Sequence, residues 1–287
     1  MRRAAAERTA TETRAVGTLV VEPVVAQGSV GPEVVSSRRI HFDPVALREL
    51  GYLPETSRER QFADHYRHIK RPLIAKVQGA AANAAGPSPR LIMMASALPG
   101  DGKTFTSINL ALSMARERDV SVVLVDADLP KPHVSRVFGV EKEPGLLDAL
   151  ADPTIDLSSL LIPTDVGSFS ILPAGKHNEA ATEMLASARM ATIVASLLAN
   201  NPRRIVLFDS PPLLLSSESR ALASIVGQVV LVVRSGATPR QAVLDVLEQI
   251  GDGPSVSLVL NQGRVAHGDY YGYGENGENS GSSTTPE

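Results

Sequence analysis

From Leu91 onward, short apolar runs alternate with longer segments of helical periodicity. The apolar runs are RLIMMAS, SVVLVDAD, RRIVLFDS, QVVLVVRS and SVSLVLN, and the predicted helices cover about residues 103–116, 144–151, 179–200 and 239–250. Apolar β-branched runs separated by helices are typical of parallel strands that are buried on both faces by right-handed crossovers. The pattern therefore predicts one α/β domain with a mostly parallel central sheet flanked by helices.

The chain before this domain is less regular. Its first 38 residues mix Ala, Arg, Thr, Val and Pro without a sustained period, which indicates a poorly ordered leader. The next segment is helical in two pieces, with Gly51 and Pro54 between them and Pro72 expected to kink or end part of the second. The predicted organisation is a leader (1–38), a helical oligomerisation or activation segment (39–80), a small-residue linker (81–90), the α/β domain (91–265) and a tail (266–287).

Composition narrows the functional classes. The 287 residues carry a net charge of -3 and no basic stripe, which argues against a general nucleic-acid binder. The chain has no cysteine, which excludes disulfides and thiolate metal sites and is compatible with a reducing cytoplasm. No secretory signal and no apolar run of membrane-spanning length is found. We therefore expect no direct membrane insertion, so that any membrane role requires a partner.

The first apolar run ends in ALPGDGKT, a candidate phosphate-binding loop. Its two glycines let backbone N–H groups turn towards a phosphate, the lysine adds a positive charge, and the threonine hydroxyl can bind magnesium. Ala97 replaces the usual first glycine of the G-x-x-x-x-G-K-[ST] pattern. The predicted nucleotide-binding residues of this loop and the following turn are Pro99, Gly100, Asp101, Gly102, Lys103, Thr104 and Phe105.

Carboxylates follow two further runs. Asp126 and Asp128 come after one strand and Asp209 after another, at the sheet edge where α/β proteins bind nucleotides. Each aspartate alone is more often a turn or cap residue, but three beside a phosphate loop favour a common site. Magnesium prefers oxygen ligands, so we predict that Thr104, Asp128 and, through water, Asp209 hold it.

The tail GDYYGYGENGENSGSSTTPE contains three of the five tyrosines, Tyr270, Tyr271 and Tyr273. Its Gly, Ser, Asn and Thr offer little apolar surface, so we expect a disordered tail whose hydroxyls are reached rather than packed. A tyrosine hydroxyl has a pKa of about 10, and transfer of a phosphoryl group to it benefits from a carboxylate that orients or accepts its proton. Asp126, which the magnesium set leaves free, is the candidate.

The order and spacing of these motifs resemble the bacterial tyrosine autokinases of exopolysaccharide and capsule loci, most closely the soluble type of exosortase-linked loci. The resemblance is carried by GDGKTFTSINLALSMA, DADLPKPHVSRVFG, VLFDSPPLLLSSESRALAS and the terminal Tyr-Gly cluster. It implies a P-loop kinase fold, use of ATP and Mg2+, catalytic roles for Lys103, Asp126, Asp128 and Asp209, and phosphorylation of the tail of a neighbouring subunit. It also implies a cytoplasmic location and activation by a membrane chain-length-determinant (polysaccharide co-polymerase) protein.

Further positions follow from the same resemblance. ADHYRHIKRPLI is similar to the family's E-x-x-R-x-x-[RK] segment, which implies oligomer contacts by Asp64, Arg67 and Lys70. Without the resemblance, these charges would be assigned to an ordinary solvated helix face. Asn261 is a candidate for contact with the base of ATP, and a strand-end turn is an equally good interpretation. Pro130 stands where many relatives have Arg, which leaves the role of that Arg open here.

The alternative class is a partition or cell-division-site ATPase, a nucleotide-dependent assembly switch of the same fold. Such proteins normally carry a lysine early in the phosphate loop, where this chain has Leu98, and some end in an amphipathic membrane helix, whereas this tail is polar. A non-catalytic ATP-dependent regulator also stays open, because an intact site does not reveal its acceptor.

Overall fold

The computed structural model of the chain describes residues 18–21, 38–80, 86–199 and 201–263. The strands are β1 Thr18–Val21, β2 Arg38–His41, β3 Leu91–Ser96, β4 Ser121–Asp126, β5 Ile162–Pro163, β6 Phe169–Leu172, β7 Arg204–Asp209, β8 Gln228–Arg234 and β9 Ser255–Asn261. The helices are α1 Pro44–Glu49, α2 Glu59–Gly79, α3 Lys103–Ala115, α4 His133–Val137, α5 Leu146–Ala151, α6 Leu157–Leu160, α7 Ala181–Leu185, α8 Ala188–Leu198, α9 Ser217–Ala223 and α10 Arg240–Ile250.

A seven-stranded sheet in the order β5-β6-β4-β7-β3-β8-β9 forms the centre of the molecule. All of its neighbours are parallel except β5 and β6, which confirms the predicted mostly parallel sheet. Every residue of β3 is buried, because helices cover both faces, and this explains its continuous apolar run. β5 and β6 extend the sheet at one edge, and the sequence pattern did not predict them.

Each face of the sheet has its own apolar core. On one face, Leu73 of α2 and Ile108 of α3 pack with the strands, and on the other Ile193 of α8 and Val246 of α10 do so. Segment 39–80 shares the first core, since Leu47 of α1 and Tyr66 of α2 are buried there. The helical segment is therefore packed onto the α/β domain.

The segment before the domain differs in detail from its predicted pattern. β1 pairs antiparallel with β2, and β1 lies inside the segment assigned to the leader, where the sequence pattern predicted no strand. α2 runs past Pro72 to Gly79, so this proline does not end the helix. Pro72 lies on the exposed side, while Tyr66 and Leu73 anchor α2 on either side of it. Packing of the apolar face thus outweighs the local preference against proline.

Among the described residues, no helix is both long enough and apolar enough to pass through a lipid bilayer.

Candidate nucleotide site

The loop between β3 and α3 is shaped by two glycines. Gly100 has φ 85° and Gly102 has φ 91°, backbone conformations that residues with a side chain rarely adopt. At Gly102 space is also limiting, because an added Cβ would lie 1.9 Å from Nδ2 of Asn261. The loop leads directly into α3, whose N-terminal N–H groups and dipole favour an anion.

Hydrogen bonds of Asp101 and Asn261 stabilise the conformation of this loop. The Asp101 carboxylate accepts hydrogen bonds from the backbone N–H of Leu98 (3.1 Å) and from the hydroxyl of Thr238 (2.7 Å). Asn261 Nδ2 donates to the Asp101 carbonyl oxygen at 2.9 Å. Both side chains therefore hold the loop in shape, and the tie to Asn261 links it to the end of β9.

Lys103 and Thr104 converge on Asp209. Lys103 Nζ lies 2.9 Å from Oδ1 of Asp209, and the Thr104 hydroxyl donates to Oδ2 at 2.8 Å. The Ser107 hydroxyl, one helical turn beyond Lys103, is 2.8 Å from Oδ1 of the same carboxylate. Sequence analysis did not identify Ser107, although its i+4 spacing from Lys103 on a helix was a usable signal.

Asp126, like Asp209, has no exposed surface. It stands opposite Asp209 across the β4–β7 pair. Its Oδ2 accepts the backbone N–H of Ser135 at 2.7 Å, whereas its Oδ1 has no hydrogen-bond partner among the described residues. Burial, reinforced by the negative charge of Asp209, raises the pKa of Asp126 to about 7. Ser135, at the start of α4, is a further residue that sequence analysis missed.

Asp128 also lies near Lys103. One of its oxygens is 3.7 Å from Lys103 Nζ, and the residue is 6% exposed. Burial raises the pKa of Asp128, and the nearby Lys103 opposes that rise. The four predicted catalytic residues Lys103, Asp126, Asp128 and Asp209 thus form one cluster at the carboxyl edge of the sheet.

The cluster fits a cation bound together with a phosphate group. Three carboxylates face a single lysine, and the unpartnered Oδ1 of Asp126 is a buried acceptor without a donor. In the part of the chain that the structure describes, no three His, Cys, Asp or Glu side chains are arranged to hold a metal ion by themselves. Magnesium usually keeps water and phosphate ligands beside one or two carboxylates.

The remaining predicted residues lie around this cluster. Pro99 is exposed on the loop, and the Phe105 ring packs edge-on against Phe62 of α2 at 6.1 Å between centroids. The tyrosines assigned as phosphoacceptors, Tyr270, Tyr271 and Tyr273, lie outside the described residues.

The residues assigned to oligomer contacts have partners within the chain. Arg67 pairs with Asp64 one turn away on α2, and both side chains are about half exposed. Lys70 is 7% exposed, and its Nζ lies 2.7 Å from the Ser113 carbonyl oxygen of α3 and 2.7 Å from Glu117. Lys70 therefore joins α2 to the C-terminal end of α3.

Comparison with known proteins gives the family. Residues 89–252 match the AAA domain model. The tyrosine-protein kinase YwqD of Bacillus subtilis is 29% identical over 184 residues, which are 63% of this chain and 76% of that protein. The tyrosine-protein kinase etk of Escherichia coli K12 is 31% identical over 164 residues, 56% of this chain but only 22% of that protein. The chain thus spans about a fifth of such longer relatives.

Solved structures agree with these matches. The VpsO kinase domain superposes with a TM-score of 0.59 at 27% identity, covering 73% of this chain and all of that domain. The kinase domain of E. coli ETK gives a TM-score of 0.52 at 30% identity, covering 64% of this chain and 72% of that one. The assignment to the exosortase-linked type stays a prediction. From the matched domain, these relatives and the cluster of Lys103 with its carboxylates, the chain belongs to the AAA domain family, among the bacterial tyrosine-protein kinases.

Proposed function

We propose that this chain is an ATP-dependent protein-tyrosine kinase that phosphorylates its own C-terminal tyrosines and thereby regulates polymerisation or export of an exopolysaccharide. The observation that carries the proposal is the position of Lys103. Its ammonium group sits at the N-terminus of α3, within 2.9 Å of Asp209 and 3.7 Å of Asp128. A lysine in this place serves the β- and γ-phosphates of ATP in P-loop proteins.

Roles for the other residues follow from their surroundings. Thr104 and Asp128, with Asp209 through water, would hold magnesium, which supplies charge neutralisation at the phosphates. The backbone N–H groups of residues 100–103 would donate to the phosphates, with Asp101 and Asn261 keeping the loop in shape. Asn261 stays our candidate for contact with the base, a role that has to coexist with its bond to Asp101.

Asp126 is the proposed acceptor of the tyrosine proton. A pKa of about 7 suits a group that exchanges a proton near neutral pH. Its full burial means that binding of nucleotide and acceptor has to open a path to it. Catalytic hydrogen bonds often form only in such complexes, so the buried position of Asp126 is compatible with the role.

The acceptors Tyr270, Tyr271 and Tyr273 are proposed on the sequence and on the family. We also propose that the tail enters a neighbouring subunit of a homo-oligomer, with Arg67 and Asp64 on the exposed side of α2 among the contacts. Activation by a membrane chain-length-determinant protein, at the cytoplasmic face of the membrane, is the corresponding proposal for partner and location.

The deciding experiment is an autophosphorylation assay on the full chain with ATP and magnesium, with phosphate mapped by mass spectrometry. It is run with and without the cytoplasmic part of the membrane partner. Lys103→Met should abolish labelling of the tail, since it removes the charge that faces the phosphates and keeps the length of the side chain. Lys142→Met, at an exposed lysine, is the matched control and should label like the wild type.

Hydrolysis of ATP without phosphotyrosine under both conditions would instead support the partition-type assembly ATPase. A Lys103→Met protein that labels its tyrosines at the wild-type rate would overturn the assignment of the loop.

A further inference from the structure

A cavity of about 610 Å³ lies between segment 39–80 and α3, apart from the nucleotide cluster. Its volume is within the usual range of ligand pockets. Its lining includes the aromatic residues Phe42, Phe62 and Tyr66 and the charged residues Arg48, Glu59, Arg60 and Arg116. We refer to it as the arginine-lined cavity.

The chemistry of this cavity is aromatic and cationic. Phe42, Phe62 and Tyr66 give it aromatic walls. Arg60 and Arg116 are exposed, and neither pairs with a carboxylate in the described ranges of the chain. The cavity therefore combines ring surfaces with two guanidinium groups that are available to an anion.

Arg48 and Glu59 complete the charge of the lining. Arg48 donates to Glu59 at 2.5 Å, so that these two charges offset one another. The Nε of Arg48 is nevertheless buried without a hydrogen-bond partner within the described ranges. The net charge of the lining is positive, because Arg60 and Arg116 have no such offset.

We propose that the arginine-lined cavity binds a phosphotyrosine of the chain's own tail, residues 264–287. A phosphotyrosine carries about -1.5 to -2 charges and three acceptor oxygens, which match guanidinium donors, and its ring matches the aromatic walls. The inference rests on the proposed function only in that the kinase would produce this ligand. It assigns the phosphorylated tail a docking place outside the nucleotide site.

Charge favours the tail over the other terminal segment as the occupant. The tail carries Asp269, Glu275, Glu278 and Glu287 against one arginine, whereas residues 1–17 carry four arginines and two glutamates. Each phosphate added to the tail increases the difference in charge between the two segments. An acidic, tyrosine-bearing segment complements the cavity, and a basic one does not.

The length of the chain permits the contact. Gly263 is two residues beyond Asn261, which is bonded to the loop at the start of α3. The cavity residues on α3 and at its C-terminal cap run from Asn109 to Arg116, about 10 to 20 Å along the helix from that start. Seven extended residues from Gly263 carry Tyr270 about 25 Å. The tail is therefore long enough to reach the cavity of its own subunit.

Peptide titration tests the proposal without any need for kinase activity. Labelled synthetic peptides of residues 264–280, with phosphate on Tyr270, Tyr271 or Tyr273 or on none, are titrated into the full-length Lys103→Met protein and followed by fluorescence anisotropy. At least one phosphopeptide should bind about tenfold or more tightly than the unphosphorylated peptide, as expected for new charge-assisted hydrogen bonds. Phenyl phosphate should compete better than inorganic phosphate, because it adds the ring.

Variants in the same background locate the binding. Arg60→Gln and Arg116→Gln should each weaken the phosphopeptide about tenfold while leaving the unphosphorylated peptide nearly unchanged. Arg118→Gln, at an exposed arginine outside the lining, should bind like the parent protein. Circular dichroism checks that all three variants fold.

The proposal is overturned if no phosphopeptide binds, if phosphate makes no difference, or if both arginine variants bind the phosphopeptide as the parent does. Because the peptides are phosphorylated chemically and the protein lacks Lys103, none of these outcomes depends on the proposed kinase activity. Failure of that activity would be seen instead as a tail without phosphate in the autophosphorylation assay.

Discussion

At the scale of single residues, the site is built from charges that the fold holds in an unfavourable arrangement. Asp126 and Asp209 face each other across β4 and β7, and each has no exposed surface. Lys103 lies close to Asp209 and Asp128, while Oδ1 of Asp126 has no donor in the part of the chain that the structure describes. Strongly shifted buried groups of this kind are typical of functional sites, where stability is given up for chemistry.

This arrangement predicts a pH-dependent gain in stability for Asp126→Asn. The pKa of Asp126 is raised from 3.8 to about 7, so between these values the unfolded chain has released the proton and the folded chain has kept it. Stability therefore falls as pH rises through this window and stays low above it. The full shift corresponds to on the order of 4 kcal/mol.

Asparagine does not ionise, so the variant should be more stable than the wild type by about 1–3 kcal/mol at pH 8, with the difference shrinking towards pH 4. Urea unfolding with EDTA present, at several pH values, measures it. Asp119→Asn, at a side chain that is 80% exposed, is the control and should change little. A variant that is less stable than the wild type at pH 8 would contradict the raised pKa.

Gly102 gives a second prediction at this scale. Gly102→Ala combines a φ of 91° with a Cβ only 1.9 Å from Asn261 Nδ2, so the loop and its tie to β9 cannot both persist. We expect ATP affinity to fall by at least about tenfold and stability by about 1–3 kcal/mol. Gly253→Ala, where nothing lies within 4 Å of the added Cβ, should leave both unchanged. Calorimetric titration and urea unfolding test the pair, and equal ATP affinity in the two variants would refute the steric account.

At the scale of elements, the contact between α2 and α3 explains the role of Lys70, which the sequence left open between an oligomer contact and a solvated helix charge. α3 ends at Ala115, and the Ser113 carbonyl near that end accepts a hydrogen bond from Lys70 rather than from the next turn. A cation at a helix C-terminus interacts favourably with the helix dipole and with its last carbonyl groups. Lys70 is thus a cap supplied by a different helix.

Lys70→Met should therefore destabilise the folded subunit itself. Loss of a buried, charge-assisted hydrogen bond predicts a cost of about 1–3 kcal/mol in the free energy of unfolding. Arg71→Met, at the next residue of α2 and exposed, should change stability by less than about 0.5 kcal/mol. Unfolding is measured at several protein concentrations. A loss that vanishes on dilution would place the role of Lys70 between subunits, as the resemblance implies.

The same elements show what the sequence could and could not predict. The five long apolar runs became β3, β4, β7, β8 and β9, and the first four are mostly buried, as expected for strands covered on both faces. The expectation of burial was wrong for β9, which lies at the edge of the sheet with Leu258 and Leu260 exposed. β6 is only four residues long and β5 only two, too short for periodicity to distinguish from a loop. The expectation that Pro72 would end part of the helix was wrong, because a local preference carries no information about the packing of Tyr66 and Leu73.

At the scale of the whole molecule, parallel topology explains why residues far apart in sequence could be assigned to one site. Lys103, Asp126, Asp128 and Asp209 follow three strands, β3, β4 and β7, which are neighbours in the sheet and end at the same edge. Strand direction alone therefore predicts their proximity. The contacts of Ser107, Ser135 and Asp101 depend on side-chain orientation, and the arginine-lined cavity depends on how α2 lies over α3. Neither follows from a pattern of apolar positions.

Phosphoryl transfer to the tail can occur within one subunit or between two subunits. Asn261 lies beside the phosphate loop, and Tyr270 is only nine residues further on, so a tail that entered its own site would have to reverse direction within a short tether. We therefore predict transfer between subunits. Lys103→Met protein with an intact tail is mixed with a Tyr270→Phe, Tyr271→Phe, Tyr273→Phe protein whose site is intact, and ATP and magnesium are added.

Phosphotyrosine should appear on the Lys103→Met protein in this mixture, because the triple variant can donate a phosphoryl group but has no acceptor in its tail. Each variant alone is the control and should acquire no phosphate on its tail. Since phenylalanine keeps the rings and removes only the hydroxyls, a packing role of the tail is preserved in the donor. If the two variants demonstrably co-assemble, and wild-type protein labels itself, an unlabelled Lys103→Met tail means that each subunit modifies its own tail or that these tyrosines are not the acceptors.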